Sequence, residues 1–389
     1  MEKAILTLAQ FKPDKNSALP LHLQLSKVLL RRIKTMPQGK DYQLPSERSL
    51  VETLKLDRST VHRAYADLLA KNLVCRNPDK SLSVKSSARK KLQGPFPLLG
   101  LIIPEKFSDY VENRSQRSFQ YIKGIFDRAA ELEISVVILR MPSADATEKE
   151  IDEFIRERCE VLSGLIHLGD RGIDDDMVFS KIVKDTGFPQ IFISASPSLP
   201  HIGGVSASPE SGAQALAEAL ISRGIDRIGI IAERKTDRQK KFFQYTSYKR
   251  SDAIRRIMTA KGITVDDEYS LEVHARNFHG EILEFLEKRN GNIPEFFWCS
   301  NNVIASELIY ILRNRGFRVP EDVSVAGYDG FPERVPGGEV ITSIGQPFYR
   351  IGSTAVDMIM EYFDKGINDA NREKTLESFF ITGETLKHQ

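Results

Sequence analysis

Residues 44–68 read LPSERSLVETLKLDRSTVHRAYADL, two short helical segments joined by a tight turn. Leu50, Leu54 and Leu56 supply one apolar side. Val61, Tyr65 and Leu68 continue it at i, i+4 and i+7, the spacing of one helix face. Arg58, Ser59, His62 and Arg63 are left together on the opposite face, near the start of the second segment. A helix that buries one stripe and offers arginine and hydroxyl groups at its N-terminal end suits the major groove of duplex DNA. The stretch predicts a helix-turn-helix, and with it a DNA-binding protein.

The flanking residues extend this unit. A helix is expected from Pro20, a residue tolerated in the first turn because its missing N–H would be unpaired there. Leu21, Leu25, Val28, Leu29 and Ile33 form its apolar stripe, and Gln38 to Asp41 break the chain. Pro45 is expected to open the second helix and Asp57 to cap the third. Residues 73–76 and 81–84 read as two short strands around a turn at 77–80. Lys80 lies at the tip, placed for a phosphate.

Charge is distributed to match. Residues 1–97 carry 19 Lys and Arg against 8 Asp and Glu, while the rest of the chain is acidic by 9, so the overall +2 hides a basic head. Phosphate contacts supply much of the affinity for DNA and need such a concentration of cations. Residues 85–97, KSSARKKLQGPFP, read as a linker. Cys75, Cys159 and Cys299 are far apart and lack metal-ligand spacing, which fits a reducing cytoplasm. No apolar run approaches the roughly 18–20 residues that span a bilayer, and no export signal is read at the N-terminus. No membrane association is expected.

From Leu98 onward the pattern alternates. Apolar strands are read at 98–104, 134–139, 164–168, 190–194, 227–232, 296–300 and 323–328, with helices between them at 147–160, 209–223, 247–261 and 302–315. Such alternation predicts α/β architecture, with parallel sheets flanked by helices, and the length favours two sheets over one very wide one. Open parallel sheets bind ligands beyond the carboxyl ends of their strands. That points to Tyr110, Asp170, Asn302 and Asp329, in loops rich in hydrogen-bonding groups and poor in cations. No glycine-rich phosphate loop, nucleophile elbow or His/Cys cluster is present. Neither a cofactor nor catalysis is expected.

Residues 20–84 resemble the GntR-type winged helix-turn-helix, through Pro-Leu with Gln24, Leu-Pro-Ser-Glu-Arg at 44–48 and Arg58-Ser-Thr-Val before Ala64. The resemblance implies DNA contacts by Ser46, Arg48, Arg58, Ser59, Thr60, His62, Arg63 and Lys80. His62 stands where that family usually has arginine, and Pro78-Asp79-Lys80 where it commonly has glycines. Arg48 also lies four residues before Glu52, so an ion pair within the domain is the alternative role.

Residues 98 to about 384 resemble the effector-binding core of the LacI/GalR repressors, itself similar to periplasmic sugar-binding proteins. The run Arg318-Val-Pro-Glu-Asp-Val-Ser-Val-Ala-Gly-Tyr-Asp329 carries the likeness most clearly. It implies a two-lobed, side-by-side dimer with a sugar or sugar derivative between the lobes. One lobe would hold 98–206 and 346–375, the other 207–345 and the C-terminal end. Arg250 would clamp the ligand, Gln346 would reach it from a crossover, and Phe278 would offer a ring to a sugar face. For Asp329, fixing the crossover is an equal alternative; for Phe278, packing in the core is. Asn302 and Ser194 stand where sugar-binding members have aspartates, which removes a charge-assisted bond.

The expected organisation is therefore a winged helix-turn-helix over 1–84, a linker over 85–97 and an effector and dimerisation domain over 98–389. The expected function is a homodimeric, cytoplasmic repressor of a palindromic operator. Two other readings stand beside it: a GntR-type regulator fused to an enzyme-like, pyridoxal-phosphate-binding domain, and a solute-binding protein without a regulatory role.

Overall fold

Three helices and a hairpin close around the apolar stripe of residues 20–84. The computed structural model describes residues 4–5, 20–34, 42–84, 97–103, 115–140, 142, 146–159, 162–168, 189–197, 202–234, 243–274, 277–330, 334–335, 337–365 and 367–388. Helices α1 (Leu21–Lys34), α2 (Glu47–Leu54) and α3 (Arg58–Ala70) bury Leu25, Leu29, Leu50, Val61, Tyr65 and Leu68 against one another. Strands β1 (Val74–Arg76) and β2 (Leu82–Val84) pair antiparallel, with Cys75 opposite Ser83, and seal the core with Val74 and Leu82. Ser46, rather than Pro45, opens α2: its hydroxyl accepts from the Ser49 N–H (3.1 Å), as a capping side chain does. The tight turn after α2 uses Lys55 in a left-handed conformation (φ 51°). The expected break at Gln38 to Asp41 lies outside the described residues, as does most of the linker.

After residue 97 strands and helices alternate. They are β3 (Leu98–Ile103), α4 (Ser115–Glu131), β4 (Ser135–Arg140), α5 (Glu148–Phe154), β5 (Gly164–Leu168), β6 (Gln190–Ile193) and β7 (Ile202–Ser208). Then come α6 (Glu210–Ile221), β8 (Arg227–Glu233), α7 (Thr246–Ala260), β9 (Leu271–Val273), α8 (Phe278–Glu287), β10 (Phe296–Cys299) and α9 (Asn302–Asn314). The chain ends with β11 (Ser324–Asp329), β12 (Thr342–Gly345), α10 (Phe348–Lys365), β13 (Glu373–Glu377) and β14 (Phe379–Ile381). The helix read at 147–160 divides, α5 running on as a π-helical turn over Ile155–Cys159.

Two sheets result. The first lobe has the parallel order β13-β7-β6-β5-β3-β4. The second has β8-β10-β11-β12-β14, with only β14 antiparallel on that path and β9 alongside β8. The chain passes between lobes at Pro209, at Gln346-Pro347 and at Ser378. These crossings are stitched together. The Ser211 hydroxyl donates to the Ser378 carbonyl (2.6 Å), the Gly212 N–H to the Ser378 hydroxyl (3.0 Å), and the Ser378 N–H to the Ser208 carbonyl (3.2 Å). A further link is an antiparallel pair between 195–197 and 243–245. Strands β7, β9, β12, β13 and β14 are not among those read from the sequence. Among the described residues no helix is long and apolar enough to cross a membrane.

Helix α10 enters the first lobe from the second and lies on α4. Glycines allow it: a Cβ on Gly124 would meet the Tyr349 carbonyl oxygen, and one on Gly352 the Tyr121 carbonyl oxygen. Backbones this close leave no room for a methyl group. Arg128 pairs with Asp357 across the same contact (2.7 Å). On β5, His167 is fully buried, stacked on Phe192 with centroids 4.0 Å apart, and bonded to Gln190 (2.7 Å). Burial holds its imidazole neutral and brings its pKa down to about 4.

Two outcomes follow from this packing. Gly352→Ala gains about 1 kcal/mol of helix propensity but forces α4 and α10 apart, at a cost of about 1–3 kcal/mol or more for overpacking. Urea unfolding of that variant should show a net loss. For His167 the unfolded chain takes the proton first, so stability is intact above pH 6.5 and is lost as pH falls from 6.5 to about 4. The loss is about 3 kcal/mol by linkage. His167→Gln should flatten the pH dependence of unfolding across that interval.

Candidate functional site

On the head, the exposed face of α3 begins at the turn made by Lys55, Leu56 and Asp57. Asp57 caps the helix, accepting from the Thr60 N–H (2.9 Å). It also accepts from the Ser59 hydroxyl (2.6 Å) and the Thr60 hydroxyl (2.6 Å). These bonds, Ser59's foremost, hold its carboxyl well below the usual carboxylate range. The two hydroxyls expected to meet DNA are thus already engaged by an internal acceptor. Arg58 and His62 lie one turn apart, and both approach Glu47 at the start of α2: Arg58 Nε at 3.8 Å and His62 Nδ1 at 3.0 Å. Arg63 is exposed on the same helix.

Arg48 makes the alternative ion pair with Glu52 (3.0 Å), yet its side chain is 89% exposed. Such surface pairs are worth little, so Arg48 stays available to other partners. Ser46 is occupied by its capping role. Lys80 is exposed at the hairpin tip with φ 66°, held by a turn in which Asn77 donates to the hydroxyls of Ser81 (2.8 Å) and Ser83 (2.6 Å).

In the two-lobed part, three of the expected residues meet. Arg250 donates to Asp329 Oδ1 (3.2 Å) and to the Ser300 carbonyl (3.2 Å), and its guanidinium lies 4.1 Å from the centre of the Tyr328 ring. Gln346 donates its amide N–H to the same Asp329 oxygen (3.3 Å). The cluster therefore joins α7, the carboxyl end of β11 and the second crossing between lobes. Both ionised side chains are only 11% exposed. Burial and the neighbouring Asp329 charge oppose ionisation of Tyr328, while Arg250 favours it; burial dominates and pushes the phenol up to about 12. Asp329 has φ 136°, and Gly330 (φ 72°) packs directly on Gly345 and Gln346, which brings the amide to the carboxylate. Backbone held in such regions is typical of functional positions.

Ser194 lies in the first lobe, after β6. It too has positive φ (62°), and its hydroxyl is 2.8 Å from that of Tyr121. Tyr121 makes an edge-on contact with Phe348 (4.9 Å) at the start of α10.

Two expectations change. Asn302, expected to face ligand, is fully buried: its side-chain oxygen accepts from the Ser343 hydroxyl (2.9 Å) and covers Gly327. It joins α9 to β11 and β12, because the first residue of α9 turns beneath the sheet edge while Asn301 caps the helix by accepting from the Ile304 N–H (2.8 Å). Phe278 opens α8 partly buried against the second lobe's core, the alternative weighed for it. Tyr110 and Asp170 lie outside the described residues.

Sequence reasoning missed Glu47, Tyr121, Ser300 and Tyr328. Glu47 stood within the Ser-Glu-Arg run, but its partner spacing of 11 and 15 residues has no local signature. It also missed a pocket of about 470 Å³ beside the first crossing. Ser206, Ser208 and Thr375 line it from one side and Glu210, Asp252 and Arg256 from the other, with Arg256 and Glu210 paired (3.0 Å). Among the described residues no group of three or more His, Cys, Asp or Glu side chains could hold a metal ion.

Comparison with known proteins adds a family match, to the periplasmic binding protein-like domain, over residues 217–386. The chain is 25% identical over 362 residues to the arabinose metabolism transcriptional repressor of Geobacillus stearothermophilus, covering 90% of this chain and 93% of that one. In fold it is similar to a complex of the transcriptional regulator CelR with cellobiose, at 17% identity and a TM-score of 0.59, covering 88% of this chain and 99% of that one. It is also similar to the lac repressor dimer bound to operator and an anti-inducer, at 19% identity and a TM-score of 0.56, covering 78% and 99%. The larger part thus has the two-lobed α/β fold of periplasmic binding proteins and LacI-type regulators. These likenesses do not assign the type of helix-turn-helix.

The cluster generates one direct expectation. Asp329→Asn leaves the Arg250 guanidinium without its compensating charge in a poorly solvated place, a change that typically costs about 3–5 kcal/mol. Thermal unfolding of the variant should be shifted down markedly, and replacing Arg250 by Met in the same chain should recover part of the loss.

Proposed function

We propose that the chain is a ligand-responsive transcription regulator acting as a repressor. Its head, of GntR winged type, binds a palindromic operator as a homodimer. A small molecule, a sugar or sugar derivative, binds between the lobes and alters operator affinity. The observation that carries the reading is the coexistence of two surfaces in one chain. One is α3, with Arg58, His62 and Arg63 exposed; the other is the Arg250–Asp329–Gln346 cluster at the carboxyl ends of a two-lobed fold. The relative named for arabinose metabolism supports it by spanning both parts.

In this reading α3 enters the major groove and the β1–β2 hairpin is the wing, with Lys80 on a phosphate. Arg48, Arg58 and Arg63 meet phosphates or base edges; Ser46, Ser59 and Thr60 contribute hydroxyls only by exchanging their capping partners. The effector replaces bonds now made among Arg250, Asp329 and Gln346, with Ser194 contributing from the other lobe. Lobe closure then resets the spacing of the paired heads. No catalytic step is part of the function, and operator binding places it in the cytoplasm.

The test separates the two surfaces. A thermal-shift screen of sugars and sugar acids should yield a ligand that raises the melting temperature, since native-state binding at 100 Kd adds about 2.7 kcal/mol. Arg58→Ala should then weaken operator binding while leaving that ligand's affinity unchanged. Equal loss of both would contradict the division of labour.

A further inference from the structure

We infer that Glu47 is the positioning residue of the DNA-reading face, setting which edges of Arg58 and His62 are offered to the bases. The inference rests on the DNA-binding role proposed above and goes beyond it by assigning specificity to an acidic side chain.

Glu47 is the first residue of α2, and its place relative to α3 is fixed from behind. The Tyr65 hydroxyl of α3 donates to the Pro45 carbonyl (2.6 Å), and Ser46 caps α2 next to it. Its carboxylate is 27% exposed and bonds to His62 (3.0 Å, 64% exposed), with Arg58 Nε farther off at 3.8 Å (86% exposed). Arg58 and His62 are four apart on α3 and share a face, so one anion reaches both. On a surface built to meet phosphates, a carboxylate opposes approach through simple repulsion. Electrostatics alone would favour its absence.

What it contributes is order. The hydrogen bond to His62 at 3.0 Å fixes that ring before DNA arrives and removes part of the ordering cost of binding, while the longer 3.8 Å approach to Arg58 biases that side chain toward the same side. A carboxylate can only accept, so His62 presents its Nδ1–H to Glu47 and turns Nε2 outward. The ring nitrogen that faces the groove is therefore chosen by Glu47. Base reading depends on such donor and acceptor placement, whereas phosphate attraction does not.

The two effects have opposite signs on two kinds of DNA, which makes the role measurable. A duplex selected from a random pool by the full-length wild-type chain serves as cognate DNA, and a mixed-sequence duplex as non-specific DNA, both titrated by fluorescence anisotropy at one salt concentration. Glu47→Gln, which keeps the size and removes the charge, should bind the mixed duplex as well as wild type or better. It should bind the selected duplex about tenfold more weakly, the scale of one base-reading contact. In a His62→Ala, Arg58→Ala background the same change should no longer alter the ratio of the two affinities. Glu47→Asp, which keeps the charge but withdraws it, should lose an intermediate part of the ratio, and circular dichroism melting would show that each variant is folded.

An unchanged ratio in Glu47→Gln, or both affinities moving together, would overturn the assignment. Failure of the wild-type chain to enrich any sequence would instead overturn the DNA-binding reading on which it rests.

Discussion

The Arg250–Asp329 ion pair is the constraint around which the larger part of the molecule is arranged. Two opposite charges held mostly out of water are tolerable only if each is paired and otherwise hydrogen-bonded. The fold meets that demand from four directions: the Ser300 carbonyl, the Tyr328 ring, the Gln346 amide and the two ionised groups themselves. The groups come from four places in the fold, Tyr328 and Asp329 sharing β11, so satisfying one charge fixes the relation of α7, β10, β11 and the second interlobe crossing. Because Gln346 leads straight into α10, and α10 packs backbone-to-backbone on α4, a rearrangement at the pair has a rigid lever into the first lobe.

This geometry suits the proposed control by ligand. A hydroxyl-rich molecule can replace bonds the cluster already makes without leaving either charge bare, since hydroxyls both donate and accept. The hinge around the cluster is narrow, three crossings stitched by Ser208, Ser211 and Ser378. The head follows a parallel logic at a smaller scale. On the exposed face of α3, Ser59, Thr60 and His62 are pre-engaged by Asp57 and Glu47, so in the proposed function DNA must offer better partners than the protein offers itself. That favours discrimination over raw affinity within a domain whose net charge already supplies attraction.

Much of this was legible in the residues because the signals were local. Val61, Tyr65 and Leu68 at helical spacing, Asp57 before α3 and the apolar runs that became β3, β5 and β10 all declare their structure within a few positions. The reading failed where tertiary placement decided. Ile202-Gly-Gly-Val-Ser-Ala-Ser, with its small residues, gives no strand signal of its own, yet it is an interior strand because β6 and β13 flank it. Residues 373–377, EKTLE, are polar enough to pass for a loop and form the sheet's edge. Asn302 was sought in the ligand site because it follows a strand end; the first turn of α9 carries it underneath instead. Glu47 and Tyr328 could not be assigned roles from sequence, since what matters is which distant side chain each one meets.

The most direct test of coupling between cleft and head is thermodynamic reciprocity. With the screened ligand, operator affinity would be measured by anisotropy at zero and saturating ligand, and ligand affinity by calorimetry with and without saturating operator. The account predicts that both change by one and the same factor, well above unity, as linkage between two sites on one molecule requires. Operator affinity that is indifferent to saturating ligand would contradict it.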